Sequence, residues 1–120
     1  MKQLTEVQLR ALCEEWQKRL RLQDWDIELR VARERELSHP ANGAECHWNL
    51  GRRMAQIFFM DMIDHDPARH YPFVQELLLI HELLHLHFAP FDTFAEDSPQ
   101  GVAIEQAIEG ISRALLALKQ

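Results

Sequence analysis

Cysteine is scarce in this chain of 120 residues: Cys13 and Cys46 are the only two. That excludes a disulfide framework and a cysteine-built zinc site, because the pair is far apart and lacks ligand spacing. Both are expected as free thiols in a reducing, cytoplasmic compartment. A further role for Cys46, plugging a metal site to keep it latent, is carried alongside. Positive charge is in deficit, with 13 Lys and Arg against 19 Asp and Glu, a net charge of −6. This argues against a general binder of nucleic-acid backbones. Arg19, Arg21, Arg30, Arg33, Arg35, Arg52 and Arg53 are interleaved with acids and read as a solvated surface. No apolar run reaches membrane-spanning length. The start, Met1-Lys2-Gln3-Leu4-Thr5-Glu6, turns polar at once, so no secretory signal is expected. There is no internal repeat, low-complexity tract or linker. Hydrophobic residues make up 47% of the chain, enough to predict one globular domain over residues 1–120.

What the chain does have is His81-Glu82-Leu83-Leu84-His85. Two histidines four apart on a helix stack on one face, so both imidazoles can bind one metal ion from the same side. Glu82, one step round the helix, can reach a water at that metal without being a ligand. The run Pro72-Phe73-Val74-Gln75-Glu76-Leu77-Leu78-Leu79-Ile80 leads into the motif, and Leu86 and Phe88 continue it. Pro72 suits a first helical turn and Pro90 marks the end. Apolar residues on every side predict a central, buried helix. Leu77, His81, Leu84, His85 and Phe88 fall on one side of it. The competing reading is a pair of core histidines hydrogen-bonded to backbone. His87, about 200° round from His85, reads as a polar residue at the helix C-terminus. His39, His47, His65 and His70 lack ligand spacing and read as surface histidines, with His47 of interest if it lines a cleft.

Catalytic zinc takes three protein ligands and keeps a position for water. Downstream lie Asp92, Glu96, Asp97, Glu105 and Glu109. Ser98-Pro99 reads as an N-cap and first-turn proline, predicting a helix from about Pro99 to Leu118. Ile104, Ile108, Ile111, Leu115 and Leu118 form its apolar stripe. Ala103, Ala107, Gly110, Ala114 and Ala117 form a second stripe, expected to admit a neighbouring helix closely. Glu105 and Glu109 sit one turn apart on the shoulder between apolar and polar faces. A helical hairpin through Ala89–Asp97 would bring them to the histidines, and Glu105 is the expected third ligand. The competing reading makes both ordinary solvated carboxylates.

This constellation resembles the gluzincin metallopeptidases, in which a glutamate about twenty residues beyond the second histidine completes a two-His, one-Glu site. Here 105 − 85 = 20. The resemblance implies zinc as cofactor, Glu82 as general base, and Glu109 as the acid that holds a ligand histidine from behind, where aspartate is commoner. In length the chain is more similar to the minigluzincins and related short metallopeptidase-like proteins, many from phages and prophages. The layout is shared from Trp25 to Leu118. Only His81, Glu82, His85, Glu105 and Glu109 carry it residue by residue.

The rest of the chain predicts an α+β fold: a small three-stranded mixed sheet packed on an N-terminal helix, the central motif helix and a C-terminal helix, zincin-like in layout. Thr5 to about Leu22 reads as a helix capped by Thr5. Strands are expected at Trp25–Ala32, Ala44 to about Leu50, and Met54 to about Asp61, with a turn at Gly51-Arg52 and loops at His39–Gly43 and Asp64–Arg69. The third strand is the most apolar and belongs in the middle. The second is then an edge, antiparallel to its neighbour. Such an edge can hold an extended peptide around Cys46-His47-Trp48-Asn49, as metallopeptidases of this type often do, or Trp48 can simply pack on a neighbour.

The expected activity is zinc-dependent hydrolysis of a peptide bond in a peptide or protein substrate. Tyr71, His70, His47 and Arg113 are oxyanion donors by residue type only, and none is assigned. The alternative is a catalytically silent zinc-containing binding or regulatory module, of phage or bacterial origin. A third option is an adaptor without metal.

Overall fold

Thr5 opens the first helix through a reciprocal cap. Its hydroxyl accepts the Gln8 N–H at 3.2 Å, and the Gln8 side chain accepts the Thr5 N–H at 2.9 Å. Donors that a helix start leaves unpaired are thereby satisfied. The helix α1 spans Glu6–Arg19 and buries Leu9, Cys13 and Trp16 on one face. It ends before Leu22 because Arg21 turns into the left-handed region, with φ 61°, a common exit from a helix. The computed structural model describes residues 3–70 and 74–119. Pro72 and Phe73, expected to lead into the motif helix, lie with Tyr71 outside the described residues.

Three strands follow: β1 (Asp26–Ala32), β2 (Ala44–Asn49) and β3 (Met54–Met60). Their order is β1-β3-β2, with β1 parallel and β2 antiparallel to β3. The most apolar strand is central, as its composition requires. Ala55, Ile57 and Phe59 are buried in the core, while Met54 and Gln56, one residue out of phase, are exposed, the period of two that a half-covered strand shows. A short turn at Pro40–Asn42 ends on Gly43, whose φ of 79° suits a residue without a Cβ. It aims the chain into β2.

The two sheet edges differ. On β1, the Arg10 Nε–H donates to the Leu29 carbonyl at 3.0 Å, and the Glu6 carboxylate accepts the Val31 N–H at 2.8 Å. Side chains of α1 thus occupy that open ladder. No described side chain does this for β2. The Met60 N–H donates to the Gly43 carbonyl at 2.9 Å, and Ala44 sits opposite Phe59 in the same register. Hydrogen-bonded pairs alternate in an antiparallel ladder. The main-chain groups of Ala44, Cys46 and Trp48 therefore point away from β3.

The motif helix α2 spans Gln75–Phe88 and buries Leu79, Ile80, Leu83, Leu84 and Leu86. At 14 residues it would be marginal alone. Each fully buried leucine or isoleucine contributes about 1.5–3 kcal/mol, so packing, not capping, holds it. Val74 supplies no side-chain cap. The buried Gln75 side chain instead accepts the Leu4 N–H at 2.8 Å.

The last helix, α3, spans Pro99–Lys119. The Ser98 hydroxyl accepts the Gly101 N–H at 3.0 Å, the expected cap. Its buried face corrects the sequence reading. Gly101, Ile108 and Ser112 are buried, Ile104 and Leu115 are half-buried, and Ile111 and Leu118 are exposed. The small residues Ala103, Ala107, Gly110, Ala114 and Ala117 are exposed and admit no helix. Close approach occurs at Gly101, where a Cβ would lie 2.1 Å from the Ala95 carbonyl oxygen. Ser112 tolerates full burial because its hydroxyl donates to the Ile108 carbonyl at 2.7 Å. At the other end of the helix, the Glu76 carboxylate accepts both the Trp16 indole N–H at 2.7 Å and the Lys119 ammonium at 2.6 Å, joining all three helices.

His70 is a second correction. It is buried, not superficial. Its Nδ1 accepts the Asp66 N–H at 2.8 Å, and its Nε2 lies 3.0 Å from Glu34. No helix among the described residues is long and apolar enough to cross a membrane.

Candidate metal centre

The i, i+4 spacing on α2 sets the His81 and His85 rings 5.2 Å apart between centroids. The short link from Ala89 to Ser98 folds α3 back along α2 and delivers Glu105 to both rings. One carboxylate oxygen lies 3.1 Å from His81 Nε2 and the other 2.9 Å from His85 Nε2. Among the described residues, His81, His85 and Glu105 are the group whose ligand atoms all lie within 4.8 Å of one another. These separations are close to the distance between adjacent ligands around one Zn2+, about 3.4 Å for tetrahedral bonds of about 2.0–2.1 Å. Two imidazoles and one carboxylate, with no fourth donor in the group among the described residues, fit a zinc site with one open position.

One turn further on, Glu109 approaches the back of His81, with 3.0 Å from its carboxylate to Nδ1. Arg113 holds the other Glu109 oxygen at 2.8 Å. His81 therefore faces a carboxylate at each nitrogen. Burial alone would lower its pKa, but Glu105, Glu82 and Glu109 push it up to about 9. Hydrogen bonds from His81 and His85 hold the Glu105 carboxyl well below the usual carboxylate range. A divalent cation would take the place of the proton on Nε2, leaving Nδ1–H to donate to Glu109. His85 is held differently. Its Nδ1 is buried without a partner among the described residues, and its ring lies against the Trp48 indole, 5.9 Å between centroids at 21°.

Glu82 is 7% exposed, on the wall of the cleft that contains His81, His85 and Glu105. Burial pushes its carboxyl up to about 7, against the pull of His85 and His81. That places it near the optimum for moving protons at neutral pH. The cleft encloses about 770 Å³. Cys46 and Trp48 of β2 form one side, Leu77 and Leu78 of α2 line it, and Asp92, Phe94 and Glu96 stand before α3.

Of the oxyanion donors considered by type, Tyr71 lies outside the described residues. His70 is engaged elsewhere and does not line the cleft. His47 and Arg113 do line it, but each already meets a carboxylate: His47 that of Glu45 at 2.6 Å, Arg113 that of Glu109. His87 stays outside the ligand group, with its Nε2 2.6 Å from the Leu20 carbonyl. Cys13 and Cys46 are free thiols, and Cys46 is no part of the ligand set. Burial raises its thiol pKa, which disfavours the thiolate in the metal-free protein.

Two features escaped the sequence reading. Glu45 is a buried acid that accepts the Ser38 and His39 N–H groups at 2.9 and 3.0 Å as well as meeting His47. Its i, i+2 relation to His47 within a strand was a legible signal. The Trp48–His85 stack had none, because it joins two elements distant in the chain. No family model, curated protein or solved structure matches this chain.

Proposed function

We propose that this chain is a zinc-dependent metallopeptidase of gluzincin type, zincin-like in fold and close in scale to the minigluzincins. The observation that carries the reading is the meeting of His81 Nε2, His85 Nε2 and the Glu105 carboxylate within 4.8 Å, beside a buried Glu82 and in an open cleft. In this reading His81, His85 and Glu105 hold the ion, and Glu109 orients His81. When bound, Zn2+ supplies Lewis acidity, polarising the scissile carbonyl and acidifying water towards neutral pKa. Glu82 takes a proton from the attacking water and delivers it to the leaving amine nitrogen.

The open ladder of β2 supports a peptide substrate. Proteins normally cover such an edge, as α1 does for β1. The outward main-chain groups of Cys46 and Trp48 can pair with an extended peptide and lay its backbone along the ligand pair. The free thiols suit a cytoplasmic setting.

A second reading, a zinc-containing binding or regulatory module, is favoured by one observation: His47 and Arg113, the described oxyanion donors by type at the cleft, are each committed to a carboxylate. One experiment separates the two. The purified protein is assayed for zinc by metal analysis and for cleavage of denatured casein and of itself at high concentration. One equivalent of zinc with chelator-sensitive cleavage supports the peptidase. Zinc without cleavage supports the module, and absence of zinc binding removes both.

A further inference from the structure

Zinc-binding histidines are usually fixed by a hydrogen bond from the second ring nitrogen to an acceptor behind it. His81 has that acceptor in Glu109, 3.0 Å from Nδ1. His85 does not: its Nδ1 is buried and has no partner among the described residues. An imidazole has a broad, roughly two-fold torsion about its last side-chain bond, so something else must set its plane. Glu105 meets the ring edge at Nε2 and the tilted His81 ring lies 5.2 Å away, but the described group stacked on the ring face is Trp48, nearly parallel at 21° and within stacking range at 5.9 Å. Trp48 is 37% exposed on an edge strand, an unusual place for a large aromatic whose only task is to fill a core. Opposite it on β3 stands Ala55, which contributes little bulk.

We infer that Trp48 is a positioning residue for the second metal-ligating imidazole, doing by stacking for His85 what Glu109 does by hydrogen bonding for His81. This rests on the metal-site reading above. The contact also changes with metal. An imidazole coordinated to a divalent cation is poorer in electrons, and the indole face is negative, so the stack strengthens when the site is loaded. Trp48 therefore contributes to metal affinity more than to the fold. Because its main chain lies on the open edge of β2, a peptide added there would also bear on the ligand geometry.

The test is Zn2+ affinity of the full chain, measured by competition with a chromophoric chelator, for the parent, Trp48→Leu and Trp48→Phe. Metal-free melting temperatures are recorded for all three. Trp48→Leu is expected to bind Zn2+ about tenfold more weakly with a melting temperature like the parent's, and Trp48→Phe to restore most of the affinity. Equal affinity in Trp48→Leu and the parent overturns the inference, as does Trp48→Phe no better than Trp48→Leu. A loss matched by a fall in metal-free melting temperature makes the role structural and overturns it too. A parent that binds no Zn2+ overturns the metal-site reading and this inference with it.

Discussion

Glu109 and His81 meet through a carboxylate oxygen and Nδ1 at 3.0 Å, across the interface of α2 and α3. Nδ1 is the nitrogen that does not face Glu105, so in the proposed metal site the contact would steady His81 without competing with a cation. Replacing Glu109 by Gln removes the charge and keeps much of the shape. Zn2+ affinity is expected to fall about tenfold, equivalent to about 1.4 kcal/mol. Chelator competition measures it; unchanged affinity would free Glu109 from any part in the site.

Glu82 is the group through which the peptidase reading can be separated from mere metal binding. Glu82→Gln keeps the size of the side chain and removes the base. Zinc stoichiometry should stay at one, while hydrolysis drops by about 10²–10⁴-fold. Turnover retained by the zinc-loaded variant would take the proton transfers away from this residue.

The metal-free protein should lose stability as pH rises. His81 has a folded pKa of about 9 against an ordinary 6.5, so its contribution is fully present below 6.5 and gone above about 9. Glu82 is raised from 4.5 to about 7, so the cost of ionising it in a buried place grows across that range. In both cases the folded state binds more protons than the unfolded one, and stability falls with pH. Melting temperature in the presence of a chelator should therefore decline from pH 6.5 to 9. His81→Gln should flatten the upper part of that decline. A melting temperature that rises over this window would contradict the His81 shift.

Two glycines on α3 give opposite expectations. Gly101→Ala drives a methyl to 2.1 Å from the Ala95 carbonyl oxygen and should destabilise by about 1–3 kcal/mol, as overpacking does. It should also displace the link that delivers Glu105, weakening metal binding. Gly110→Ala meets nothing within 4 Å and should stabilise by about 0.5–1 kcal/mol through helix propensity alone. Urea denaturation of both variants checks the pair, and equal effects would mean that the path of α3 differs from the one described.

Local spacing carried much of this molecule. The period of two in β1 and β3, the period of 3.6 in α1, the Thr5 and Ser98 caps and the His81–His85 spacing are properties of neighbouring residues, and all were legible because backbone geometry fixes which side chains share a face. The convergence of Glu105 on the histidines was accessible only as an expectation, since five acids follow the motif and which one arrives depends on how tightly the chain turns. That turn depends on Gly101 packing against Ala95, a contact between backbone atoms with no periodic signature. The buried side of α3 was misread for a related reason. Ile111 and Leu118 fit an apolar stripe, but the direction from which α2 approaches puts Gly101, Ile108 and Ser112 inside. His70 and Trp48 likewise meet partners remote in sequence, Glu34 and His85. By itself the sequence determined the elements and the chemical types at the centre. Only the tertiary structure decided which groups meet there, because contact between distant residues depends on how whole elements dock and not on any residue's neighbours along the chain.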